Sequence, residues 1–164
     1  MLRGSSPAGA TVLHTWTDPP HGTRAELRRA LADHGLVTDP GAELMLAVTL
    51  AATELLANAR LHGRPPVQVQ LLRTRSAIIF DVTDHDPGRP PAPAPPHGLP
   101  DARLGLHLVR TMATACGWYE ALPRKHVWAA FDGCSLPARR PNEVPFPRRY
   151  PAVRNQPSTW RTFP

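Results

Sequence analysis

Glu54, Asn58 and His62 recur every four residues in the segment Thr53-Glu54-Leu55-Leu56-Ala57-Asn58-Ala59-Arg60-Leu61-His62-Gly63. On an α-helix that spacing turns each side chain only about 40° from the one before, so a carboxylate, an amide and an imidazole form one polar ridge. Such groups pair with one another or coordinate a ligand or metal, and an imidazole at a helix end also caps carbonyls. The surrounding segment, from about Pro40 to His62, is apolar around most of its circumference, with Leu44, Met45, Val48, Leu50, Leu55, Leu56 and Ala59 among its residues. Such a helix is expected to be buried, and polar groups on it then need a partner. Two readings stay open on these residues alone: contact with a ligand or metal, or a solvent-facing ridge in which Glu54 and Asn58 bond each other and nearby arginines.

The elements that must position this ridge can be read along the chain. Residues 1–10 are small and polar and read as a flexible start. Thr11 to Trp16 predicts a short strand. Thr23 and Glu26 form a capping box for a first helix from Arg24 to about His34, which Gly35 ends. The long helix stops at Gly63, and Pro65 and Pro66 prevent its continuation. Val67, Val69 and Leu71 alternate with glutamines, and Ile78, Phe80 and Val82 repeat the period of two after Thr74-Arg75-Ser76, which predicts an antiparallel hairpin. By the same parity Asp84 shares a face with Ile78, Phe80 and Val82 and points inward at the strand's end. On the residues alone, an Asp at this place also fits the opening of a turn before Pro87-Gly88.

From Pro87 to Pro100 lie seven of the 21 prolines, so this stretch is a long loop, a length often associated with lids or binding loops. Asp101 is placed to cap a third helix from Arg103 to Ala115, with Leu104, Leu108, Met112 and Ala115 as its apolar stripe. Strands near Trp118 to Leu122 and His126 to Phe131 follow. The remaining residues are rich in proline and arginine and read as an irregular tail. Helices set apart from paired strands predict an α+β two-layer sandwich, with a mostly antiparallel mixed sheet covered on one face by about three helices. The expected division is a flexible start at 1–10, one domain at 11–132 and a tail at 133–164.

Bulk composition narrows the function. The formal net charge is +6, but residues 135–164 hold six of the 19 basic residues and one of the 13 acidic ones, which leaves the body almost neutral. A phosphate-backbone reader is therefore not expected in the folded domain, and a nucleic-acid role rests on the tail alone. Cys116 and Cys134 have no metal-ligand spacing and make no disulfide framework. With no signal-peptide pattern and no uninterrupted apolar run of membrane length, a cytoplasmic location without a membrane partner is expected.

Three landmarks fall in a fixed order: Glu54 to Gly63 on the helix, Val82-Thr83-Asp84-His85-Asp86-Pro87-Gly88 at the strand end, and Leu104-Gly105-Leu106-His107-Leu108-Val109 after the loop. Together they resemble the N, G1 and G2 boxes of the GHKL superfamily of ATPases, the Bergerat fold, most closely the small bacterial anti-sigma-factor serine kinases. The resemblance covers about residues 11–132. It implies ATP and Mg²⁺ as cofactors, with Asn58 as the Mg²⁺ ligand, Glu54 as the general base, and Asp84 accepting a hydrogen bond from the amino group of adenine. Gly88, Arg103, Gly105 and Leu106 complete the implied nucleotide-binding set. Gly105 would let backbone approach the phosphates at a helix start, although it also fits as a packing glycine, and Leu106 also fits as ordinary core. His62 lies near the phosphates or simply closes the helix.

Two positions depart from the pattern. Asp86 stands where the G1 box carries a glycine, and Arg103 stands where the G2 box does, although an arginine there could pair with the γ-phosphate. The resemblance implies transfer of a phosphoryl group to a serine of an anti-anti-sigma partner, capture of a sigma factor, and a homodimer. The competing expectation is a module that keeps the fold but regulates transcription through protein contacts alone, using the first helix with Glu26, Arg28 and Arg29.

Overall fold

The computed structural model describes residues 10–19, 23–37, 39, 42–89, 91 and 104–132. The expected strand, two helices, hairpin, third helix and closing hairpin appear in that order. They are β1 (Thr11–Thr17), α1 (Thr23–Asp33), α2 (Glu43–His62), β2 (Gln68–Arg73), β3 (Ala77–Asp84), α3 (Leu104–Met112), β4 (Ala115–Ala121) and β5 (Arg124–Asp132). The strands form one sheet in the order β1-β2-β3-β5-β4. Each neighbouring pair is antiparallel, so the mixed component expected from sequence is not found among the described residues.

Alternation decides which side of the sheet meets the helices. Val69, Leu71, Ile78, Phe80, Val82, Val127, Ala129 and Phe131 face one way and pack with Leu27, Leu31, Val48, Leu55 and Val109 of the helices. This is the two-layer α+β sandwich. Leu72, Ile79, Trp128 and Ala130 point to the opposite face and form a small second cluster with Ala10 and Tyr119. Because the period of a strand is two, the register that buries Ile78 also sends Asp84 to the helix side.

Local chemistry fixes the joints. At the hairpin, the Thr74 hydroxyl accepts the Ala77 N–H at 3.0 Å, and the Thr74 N–H donates to the Ala77 carbonyl at 2.9 Å. Gly35 takes a left-handed φ of 63° just past α1, where glycine carries no steric penalty. Asp18, at φ 44°, holds the less comfortable version of that conformation. Two bonds to Val67 secure it: its N–H donates to the Val67 carbonyl and its carboxylate accepts the Val67 N–H, both at 2.7 Å, which ties the end of β1 to the start of β2.

Several boundaries differ from the sequence reading. Ala42 is the N-cap of α2, with no side-chain bond, and the predicted start at Pro40 lies outside the described residues. The capping-box role of the Thr23 side chain, and Asp101, lie outside them too. α3 ends at Met112, and Ala115, expected on its apolar stripe, instead opens β4 opposite Ala130. The expectation that α2 is buried all round is also corrected. Met45, Val48, Ala51, Ala52, Leu55, Leu56 and Ala59 are buried, whereas Leu46 is 52% and Leu61 76% exposed. α2 is long and apolar enough to cross a membrane, but its buried residues form the core under the sheet.

Candidate functional site

Glu54 and Asn58 lie on the half-buried flank of α2, and His62 is exposed at its end. α3 runs beside this flank. The approach is close enough that a Cβ built on Gly105 would sit 2.5 Å from Glu54 Oε2. Any larger residue at 105 would therefore push the carboxylate aside. The first turn of a helix leaves N–H groups without intrahelical partners and carries the positive end of the dipole, so the start of α3 is a favourable place for a carboxylate or a phosphate. Asn58 Nδ2 is buried and has no hydrogen-bond partner among the described residues. Leaving a buried amide donor unmet costs free energy, and such an orphan marks a place where a further group belongs.

Asp84 ends β3 fully buried, as its parity requires. The turn reading of this residue is seen on one of its oxygens. Oδ1 accepts the Asp86 N–H at 2.8 Å, which is the turn role. Oδ2 is buried, lacks a hydrogen bond of good geometry from any described residue, and lies 3.3 Å from Lys125 Nζ in an ion pair. Lys125 pairs with Asp84 in the β3–β5 register, is 1% exposed, and donates to the Arg89 carbonyl at 2.8 Å. Gly63 backs this pair: a Cβ there would fall 2.5 Å from Asp84 Cγ and 2.5 Å from the Ala59 carbonyl oxygen. Its φ of −98° is ordinary, so space rather than backbone conformation calls for glycine.

Lys125 is the residue that the sequence reading missed. The signal was present, because Lys125 continues the inward parity of Val127, Ala129 and Phe131, just as Asp84 continues that of Phe80 and Val82. Placing the start of β5 at His126, rather than Arg124, hid it.

The other expected residues are placed as follows. Gly88 is exposed, and no contact with a described residue demands glycine there. Leu106 packs against the core cluster, in keeping with its reading as core. Arg103 lies outside the described residues. Asp86 is half-buried and engaged with Asp84 through its N–H. On the far side of the sheet, Asp81 Oδ2 meets His126 Nδ1 at 2.8 Å, away from α2. A cavity of about 210 Å³ near Gly63 is lined by Asp18, Pro19, Ala59, Arg60, Pro65 and Val67, and none of Glu54, Asn58 or Asp84 lines it.

Among the described residues no group of three His, Cys, Asp or Glu side chains could hold a metal by itself. The donor set suits Mg²⁺ bound together with phosphates, because this ion takes one or two protein oxygens and fills its shell with phosphate and water. The orphaned amide of Asn58 and the tight approach at Gly105 agree with a group arriving between α2 and α3.

No curated protein matches the chain. Residues 19–131 match the family model described as the histidine kinase-like ATPase domain, a span that contains every landmark from Glu54 to Leu106. With the five-stranded antiparallel sheet, its single layer of helices and that match, the chain belongs to the histidine kinase-like ATPase domain family, of the GHKL type.

Proposed function

We propose that the chain is an ATP-dependent regulatory kinase of the anti-sigma-factor type, which transfers the γ-phosphoryl group to a serine or threonine of an anti-anti-sigma partner and binds a sigma factor in its alternate complex. The observation that supports this best is the seating of the Glu54 carboxylate against Gly105 at the start of α3, one turn from Asn58. A proton acceptor and a phosphate-favouring helix start then share one small space.

In this reading the Asn58 amide oxygen holds Mg²⁺, and Asp84 Oδ2 accepts from the amino group of adenine. When bound, Mg·ATP supplies the transferable group, and its metal spreads the phosphate charge. Glu54 takes the proton of the attacking hydroxyl. It has no hydrogen bond or ion pair with another described residue that would compete for its lone pairs. Gly105 keeps the approach open, and Arg103 offers a positive partner to the terminal phosphate. The catalytic unit is residues 11–132, acting in the cytoplasm, where ATP and the acceptor protein meet. Incubating the purified chain with γ-labelled ATP and candidate acceptor proteins tests this: label should appear on a serine or threonine with wild type and not with Asn58→Ala.

The second reading, a binding module without transfer, is favoured by Asp86 at the G1 glycine position and by the ion pair that engages Asp84. It predicts a stable partner complex and no label on any acceptor.

A further inference from the structure

We propose that Lys125 is a second base-reading residue, which donates to N1 of adenine while Asp84 Oδ2 accepts from the amino group on the adjacent carbon. This rests on the nucleotide site proposed above and adds the residue that sets its base specificity.

An ammonium has three N–H donors and no acceptor. At Lys125 one donor goes to the Arg89 carbonyl at 2.8 Å, and one at most is directed to Asp84, 3.3 Å away. The third donor meets no acceptor among the described residues, on a group that is 1% exposed. Asp84 has a matching remainder: Oδ1 is engaged by the Asp86 N–H, and Oδ2 is buried without a hydrogen bond of good geometry from a described residue. A spare donor and a spare acceptor therefore lie side by side on the helix-facing side of the sheet. Adenine presents the complement on neighbouring atoms, an acceptor at N1 and a donor at the amino group.

A purely structural clamp explains this arrangement less well. A buried ion pair gains little over apolar residues of the same volume, because desolvation consumes most of the attraction. A pair kept only for stability also has no need of unmet donors and acceptors. Gly63 adds a constraint on position: a Cβ there would come within 2.7 Å of Oδ2, so the carboxylate rests directly against backbone and cannot swing toward α2. A held acceptor beside a held donor reads a base edge with less loss of side-chain freedom than a mobile pair.

The test compares base analogues on the wild-type chain by calorimetric titration in magnesium. 1-Deaza-ATP, which has C–H in place of N1, should bind about tenfold or more weaker than ATP, the scale of one charged hydrogen bond. 7-Deaza-ATP should bind within about threefold of ATP, since the edge being read is unchanged. In Lys125→Met, ATP should weaken to the level of 1-deaza-ATP, so that the two no longer differ. Equal binding of ATP and 1-deaza-ATP to wild type, or GTP binding as tightly as ATP, overturns the proposal while the nucleotide site stands. A difference between ATP and 1-deaza-ATP that persists in Lys125→Met overturns it as well. The wild-type comparison decides even where Lys125→Met does not fold. Absence of any ATP binding to wild type removes the nucleotide site and this inference together.

Discussion

Gly105 and Glu54 are in contact across two helices: a Cβ on the glycine would lie 2.5 Å from Oε2 of the glutamate. The landmark on α2 and the landmark at the start of α3, about fifty residues apart in sequence, therefore close on one another at a single carboxylate.

Gly105→Ala should isolate that contact. The obstructing atom is the far end of a flexible side chain, so Glu54 can rotate away and the fold should persist, with a change in Tm of only a few degrees. The proton acceptor is then misplaced. Phosphoryl transfer should fall by about tenfold or more, as small displacements of a catalytic group cost heavily, with nucleotide affinity nearly unchanged. Transfer kinetics and thermal unfolding on the same preparation check this. Unimpaired transfer would remove Gly105 from the site.

Glu54→Gln should separate binding from chemistry. The amide keeps the shape but not the basicity, so transfer should drop by about 10² to 10⁴, the usual worth of a general base, while Mg·ATP affinity stays within a few-fold of wild type. Single-turnover assays at saturating nucleotide check this.

Gly63→Ala should act on stability instead. The new Cβ would meet the Ala59 carbonyl and the Asp84 carboxylate, both held by the fold. Overpacking of this kind costs about 1–3 kcal/mol, measurable as a lower midpoint in urea unfolding. Unchanged stability would mean that the end of α2 yields more readily than its contacts imply.

The core architecture was legible in the sequence because strand parity and helix breaks are local signals. Ile78, Phe80 and Val82 announced both the hairpin and the inward turn of Asp84, and Gly63 with two following prolines announced the end of α2. What failed were judgements that depend on neighbours. The exposed flank at Leu46 and Leu61 could not be told from an all-apolar helix, because apolarity does not say how many sides are covered. Ala115 looked like one more turn of α3 because alanine suits a helix, yet pairing with Ala130 claims it for β4. Lys125 escaped because lysine is rarely buried, and its partners, Asp84 41 positions earlier and the Arg89 carbonyl, make burial tolerable.

Cys116 supplies a pH-dependent check on the packing of β4 against the core. Burial pushes its thiol above the ordinary range, and Arg110 pulls it part of the way back. The native state therefore favours the protonated thiol. The associated stabilisation is full below the unfolded value and is lost as pH rises through the higher folded value, in the alkaline range. In a Cys134→Ser background, alkylation of Cys116 near pH 8 should be slower in the native protein than in urea, because less thiolate is present. Equal rates would show the thiol to be exposed.

Calorimetric titration of Mg·ATP into the wild-type chain and into Asn58→Ala tests the nucleotide site most directly. Saturable magnesium-dependent binding to wild type that is lost in a folded Asn58→Ala is the expected result. Unchanged affinity in Asn58→Ala, or no heat with wild type, would contradict it.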